Sequence, residues 1–200
     1  QLQSIKSSAI VLLVTNPVDI LTHLAYDIFK LEPGRIFGTG TLLDSARLRW
    51  RISEHFDINI KNVHGYVLGE HGDSEFVAWS SVKSGSSLDT VTKQKIEKSV
   101  KEAAYEIIEG KGATYFGISG ATTKILKAII HDTREILPVS TIYPYTSHEA
   151  LLNTPIGIPA VIGENGIEQV PKLNLTEEEM TQLENSADKL HQLYSSCPVK

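Results

Sequence analysis

Two textures of apolar residues divide the chain. Ala9-Ile-Val-Leu-Leu-Val14 is an unbroken run rich in branched side chains, the pattern of a short strand covered on both faces in a parallel sheet. Asn16-Pro17-Val18-Asp19 follows it. Asn16 suits a helix cap, Pro17 the first turn and Asp19 the positive end, so a helix is expected from there to about Lys30, before Pro33-Gly34. Arg35 to Gly38 reads as another short strand. A strand and helix need further strands to cover them. Residues 1–40 are therefore expected to be the last unit of a doubly wound α/β domain whose first part lies upstream of Gln1.

From Thr41 the pattern becomes α+β. Leu48, Ile52 and Phe56 recur every four residues and place a helix over Asp44 to Phe56. Val63 to Leu68 and Phe76 to Val82 read as strands around the polar loop Gly69-Glu-His-Gly-Asp-Ser74. Ile96, Val100, Ala103, Ala104, Ile107 and Ile108 form a helical stripe expected to end at Gly110, with a second helix from about Ala113 to His131. Pro159 to Gly163 and Ile167 to Leu173 suit a hairpin around Glu164-Asn165-Gly166, and Thr176 with Glu179 forms a capping box opening a final amphipathic helix. Residues 41–200 are thus expected to form a second, α+β unit.

Composition narrows the function classes. With 41% hydrophobic and 22% charged residues the chain suits a globular fold. Its longest apolar run is far too short to span a bilayer. A net charge of −5 gives no electrostatic reason to expect nucleic acid or an anionic membrane surface. The single cysteine, Cys197, leaves no disulfide framework and no cysteine-based zinc site, which fits a reducing cytoplasm; no metal site is expected.

The candidate chemistry is polar and dispersed. Gly110-Lys-Gly112 and Gly117 do not make a phosphate loop, because they join two helices and Ile118 stands where a lysine is needed. His71 between two glycines is either a turn residue or a general acid/base, an imidazole titrating near working pH. Asp44 and Arg47, three apart on one helix face, are either a dipole-matched acid with a surface cation, or an orienting carboxylate with a bidentate clamp for an anion. Asn16 is a cap or a ligand group beyond a parallel strand, and Thr114 a first-turn cap or a hydroxyl donor.

Four segments coincide with a known family. Thr15-Asn-Pro-Val-Asp-Ile-Leu-Thr22, Gly38-Thr-Gly-Thr-Leu-Leu-Asp-Ser-Ala-Arg47, Gly69-Glu-His-Gly-Asp-Ser74 and Lys111-Gly-Ala-Thr114 occur in this order, and the whole chain resembles bacterial L-lactate dehydrogenases. The resemblance implies an α+β catalytic domain at 41–200, preceded at 1–40 by the last strand-helix unit of a Rossmann domain. It implies that His71 exchanges a proton with a small 2-oxo or 2-hydroxy acid, that Asp44 orients it and that Arg47 grips the substrate carboxylate. Asn16 would stand beside the nicotinamide of NAD and the histidine, Thr114 in the substrate pocket, and Ile118 against the nicotinamide ring. The main phosphate- and ribose-binding elements and the residue choosing lactate over malate would lie upstream, so the 200 residues alone are expected to be inactive. Arg49 and His64 fall where allosteric members bind fructose 1,6-bisphosphate across a subunit interface, and a homo-oligomer, dimer or tetramer, is implied. Phe76-Val-Ala-Trp79 resembles relatives acting on branched substrates, whereas Glu70 favours the lactate branch. L-2-hydroxyisocaproate or malate dehydrogenase, and a catalytically silent oligomerisation module, stay open as alternatives.

Overall fold

The computed structural model describes residues 5–32, 34–84, 87–111 and 115–197. The chain opens with β1 (Val11–Leu13), α1 (Val18–Phe29) and β2 (Ile36–Gly38), a strand-helix-strand unit in which β1 and β2 pair in parallel. Next come α2 (Leu42–Phe56), the hairpin β3 (His64–Leu68) and β4 (Phe76–Lys83), and two helices, α3 (Thr90–Lys111) and α4 (Phe116–Ile130). The remainder is β5 (Glu135–Thr141), α5 (Glu149–Asn153), β6 (Ile156–Gly163), β7 (Gly166–Gln169) and α6 (Glu177–Ser195).

One five-stranded sheet, in the order β1-β2-β5-β6-β7, runs through the protein, and β3-β4 forms a separate sheet. The large sheet crosses residue 40 without a break, because β2 meets β5 antiparallel at Gly38↔Ser140. Apolar residues sort into three packed groups. Leu183, Ala187 and Leu190 of α6 cover one side of β6 together with Leu68 and Phe76. Ala121, Ile125 and Ala128 of α4 pack with Phe37, Leu137 and Val139. Leu48 and Ile52 of α2, both fully buried, close on Val67, Val77, Ile96 and Val100. That last group fixes α2 against the β3–β4 hairpin.

The final helix starts as its sequence dictates: the Thr176 hydroxyl accepts from Glu179 N and the Glu179 carboxylate accepts from Thr176 N. The same carboxylate accepts from Ser80 N at 2.9 Å, tying α6 to β4. Among the described residues no helix is long and apolar enough to cross a membrane.

Several boundaries differ from the sequence reading. β1 covers three residues and is half-buried, not enclosed on both faces. Asn16 is not a helix cap: α1 begins at Val18, Pro17 precedes it with no side-chain cap, and the Asn16–Pro17 peptide is cis. Helix α3 continues through Gly110 to Lys111, and β7 stops at Gln169. The central strand β5 is absent from the sequence reading, and it carries Pro138, a residue unusual inside a sheet. Pro138 faces Pro159 across the β5–β6 pair, and β2 reaches β5 at Ser140, so Pro138 stays outside that contact.

The hairpin loop is tied to the large sheet by backbone alone, through the paired bonds Gly69 N to Gly157 O (3.1 Å) and Gly157 N to Gly69 O (2.9 Å). A Cβ on Gly157 would stand 2.7 Å from the Gly69 carbonyl oxygen and from the Thr41 hydroxyl. Gly157→Ala is therefore expected to cost about 1–3 kcal/mol, lowering Tm by about 2–10 °C in thermal unfolding. An unchanged Tm would contradict this close approach.

Candidate active site

The β3–β4 loop is held in shape from both ends. Gly69 turns the chain at φ +98°, a conformation that favours glycine. Gly72 N then donates to Glu70 O at 2.8 Å. Helix α6 anchors the next residues: Glu70 N donates to Ser186 Oγ (2.8 Å), and the Glu70 carboxylate accepts from Lys189 Nζ (2.9 Å) and Ser74 Oγ (2.5 Å). At the loop's centre, His71 N donates to Asp19 Oδ2 of α1 at 2.8 Å.

The ring of this histidine meets α2. His71 Nδ1 lies 2.7 Å from Asp44 Oδ2, and Arg47 Nη1 donates to Asp44 Oδ1 at 3.0 Å. Asp44 is 2% exposed, so it is not the solvated dipole partner that its place in the first turn of a helix allows. The three-residue spacing puts both α2 side chains on the face turned to the loop. The structure thus joins His71, Asp44 and Arg47.

His71 opens into a cleft of about 220 Å³ lined also by Val14, Asn16, Thr39, Gly40, Leu43 and Ile118. Val14 and Asn16 follow β1, and Thr39 and Gly40 follow β2. The cleft therefore lies at the carboxyl ends of the parallel strands, where open α/β sheets place ligands. Asn16 and Ile118 face it, as does His71; Arg47 borders Asp44, with its side chain 13% exposed. Thr114 lies outside the described residues. Arg49 and His64 are elsewhere: Arg49 is partly buried near the Tyr66 phenol, and His64 is exposed at the start of β3.

Two further acids, Asp19 and Glu75, complete the surroundings and escaped the sequence reading. Asp19 is 3% exposed and Glu75 6%. Asp19 is the one charge on the buried face of α1, beside Val18, Thr22 and Ala25, and Glu75 immediately precedes the apolar run of β4; a charge in such a setting was the available signal. Burial by itself lowers the His71 pKa, but the Asp44 hydrogen bond and charge, aided by Asp19 and Glu75, outweigh it and bring the value up to about 9. Burial raises Asp19 to about 6, against the hydrogen bonds from Ser140 and His71. Burial and the neighbouring Asp44 charge push Glu75 up to about 8. The polar atoms of Asp44, His71 and Glu75 lie within 4.8 Å of one another. With the Arg47 guanidinium already on Asp44, a dication is disfavoured there and a proton is favoured.

Comparison with known proteins shows the family. Residues 41–196 match the family model described as lactate/malate dehydrogenase, alpha/beta C-terminal domain. The chain is 41% identical to the L-lactate dehydrogenase of Thermoanaerobacter sp. (strain X514) over 211 residues, covering 100% of this chain and 67% of that protein. It is 41% identical to the L-lactate dehydrogenase of Priestia megaterium, covering 92% of this chain and 60% of the relative. Among solved structures, it is similar to the minor L-lactate dehydrogenase of Enterococcus mundtii in its ligands-bound form, with 35% identity and a TM-score of 0.88 over 96% of this chain and 64% of that one. A lactate dehydrogenase from a Medee basin deep-sea metagenome library gives 40% identity and a TM-score of 0.87 over 92% of this chain and 62% of that one. The chain spans about 60 to 67% of the length of these proteins.

The three shifted groups also set how stability responds to pH. His71 binds its proton more tightly folded than unfolded, so its contribution is full below pH 6.5 and is lost as pH rises through about 9. Glu75 and Asp19 hold protons more tightly in the folded state too, because burial favours their neutral forms; their effect on stability likewise falls as pH rises, between 4.5 and about 8 for Glu75 and between 3.8 and about 6 for Asp19. Thermal unfolding should therefore show a lower Tm at pH 9 than at pH 6. Glu75→Gln, which cannot ionise, should match the parent near pH 4, below the window of 4.5 to about 8, and exceed it by several degrees at pH 9. Parallel Tm–pH curves for the two proteins would contradict the assignment.

Proposed function

The chain belongs to the lactate/malate dehydrogenase family, and we propose that it carries the proton-transfer and substrate-orienting residues of an NAD-dependent L-lactate dehydrogenase, interconverting pyruvate and L-lactate. One observation carries the reading: a cleft-facing imidazole bonded at Nδ1 to a buried carboxylate, whose other oxygen holds an arginine.

With Nδ1 engaged by Asp44, Nε2 is the ring atom free to meet a substrate oxygen. Reduction of a 2-oxo acid builds negative charge on the carbonyl oxygen, and protonated His71 donates to that oxygen as the charge develops. The raised pKa keeps the acid form present at neutral pH. In the reverse direction, neutral His71 accepts the hydroxyl proton, and Asp44 stabilises the imidazolium that results. Arg47, fixed by Asp44 through one nitrogen, has further guanidinium N–H groups with which to bind the substrate carboxylate in two-point fashion. Holding the acid at that end aligns its carbonyl with His71, which turns orientation into rate.

The cleft fits the nicotinamide end of NAD. Val14, Leu43 and Ile118 give it apolar wall, and Asn16 and Thr39 offer polar groups beside His71. When bound, the cofactor supplies or takes the hydride at the substrate carbon. Asn16 and Ile118 would hold the ring, one through its amide and the other by aliphatic contact. Because the resemblance places the main phosphate- and ribose-binding elements upstream, the 200 residues alone are proposed to turn over negligibly.

The resemblance also carries the readings of a fructose 1,6-bisphosphate effector near Arg49 and His64, and of a cytoplasmic homo-oligomer. Exposed apolar side chains at Trp50 on α2 and at Phe116, Leu126 and Ile130 on α4 support the oligomer.

Steady-state kinetics of the intact protein test the function. His71→Gln is expected to lower kcat/KM for pyruvate by about 10²–10⁴-fold, and Arg47→Lys to raise KM by at least about tenfold through loss of the two-point contact. Activity of His71→Gln within twofold of the parent would overturn the role of His71. Preferred turnover of oxaloacetate or 2-oxoisocaproate would replace lactate with malate or a branched acid.

A further inference from the structure

A carboxylate buried in the first turn of a helix ordinarily bonds that helix's own free N–H groups. Asp19 does not. Its Oδ2 accepts from the backbone N–H of His71 at 2.8 Å, and its Oδ1 accepts from Ser140 Oγ of β5 at 2.5 Å. Asp19 and Ser140 are 3% and 0% exposed, so water competes for neither bond. Through these two contacts one side chain ties α1, the β3–β4 loop and the central strand of the large sheet to a single residue, the one that faces the cleft.

We infer that Asp19 is a positioning residue for His71, fixing its backbone in the cleft and supplying a second negative charge beside the ring. This rests on the reading of His71 as the proton donor. The surroundings are otherwise accounted for. Asp44 faces His71 from α2, Glu70 and Glu75 flank it on its own loop, and Arg47 of α2 and Lys101 of α3 act on Glu75. Asp19 is the group that reaches the His71 backbone. Along this line the charged forms alternate in sign: Asp19 negative, His71 positive, Asp44 negative, Arg47 positive. A neutral asparagine could accept from His71 N through its oxygen and donate to Ser140 Oγ through its amide N–H, at lower desolvation cost. A carboxylate here adds what an amide cannot, an attraction for the protonated ring.

Two variants of the intact enzyme separate charge from position. Asp19→Asn keeps the shape and removes the charge. The alkaline limb of kcat/KM for pyruvate, where His71 loses its proton, should move to lower pH by about half a unit or more, with kcat/KM near neutrality little changed because the ring there stays protonated. Asp19→Ala removes the contact. Hydrogen exchange of the His71 amide should then quicken by at least about tenfold. An alkaline limb unmoved in Asp19→Asn, or an amide equally protected in Asp19→Ala, would overturn the inference. Should Asp19→Ala fail to fold, the Asp19→Asn profile decides. If the intact parent reduces no 2-oxo acid, the dehydrogenase reading falls instead, and the exchange experiment still shows whether Asp19 holds His71.

Discussion

The 2.7 Å contact between His71 Nδ1 and Asp44 Oδ2 joins side chains 27 residues apart, one on a loop and the other on a helix. Both partners give up hydration to make it, and at the surface such a pair would contribute little. Buried, it succeeds because every neighbour is arranged for it. Arg47 balances Asp44, the His71 amide has its own acceptor, and the ring keeps its second nitrogen for the cleft. Much of the attraction in such a pair is offset by the desolvation of its two partners. The pair makes sense as a device that keeps an imidazole charged and aimed.

That constraint explains the rest of the architecture. Leu48 and Ile52 pin α2 to the β3–β4 hairpin, so the helix bearing Asp44 and Arg47 and the strands flanking the His71 loop share one packed core. Three independent ties then stop the loop from drifting: the paired Gly69–Gly157 bonds to β6, the Glu70 contacts to α6, and the Asp19 bond to α1. Each tie comes from a different element. Displacement of the imidazole by even an ångström would cost much of the alignment on which catalysis depends.

Much of this was legible in the residues. Periodic apolar positions located α2, the hairpin and α6, and the Thr176–Glu179 capping box appears in the structure as read. Four short motifs in one order identified the family, which the comparisons show. Local rules failed where tertiary contacts decide. β5 went unread, since its place is set by pairing with β2 at Ser140 and with β6 along its length, both distant in sequence. Asn16 looked like a cap, yet the chain passes it before α1 starts. Asp19 looked like a helix-dipole residue, although its partners lie 52 and 121 positions away. Spacing could place Asp44 and Arg47 on one face, but only the packed hairpin brings His71 to them.

The most direct test is the titration of the His71 ring itself, followed by NMR of the ring nitrogens in the intact protein with its imidazoles labelled. A buried partner at Nδ1 predicts a midpoint well above 6.5, near 9, with a proton resident on Nδ1 throughout. A ring that titrates at 6.5 or below, or whose neutral form carries its proton on Nε2, would contradict the pairing and with it the proposed role of His71.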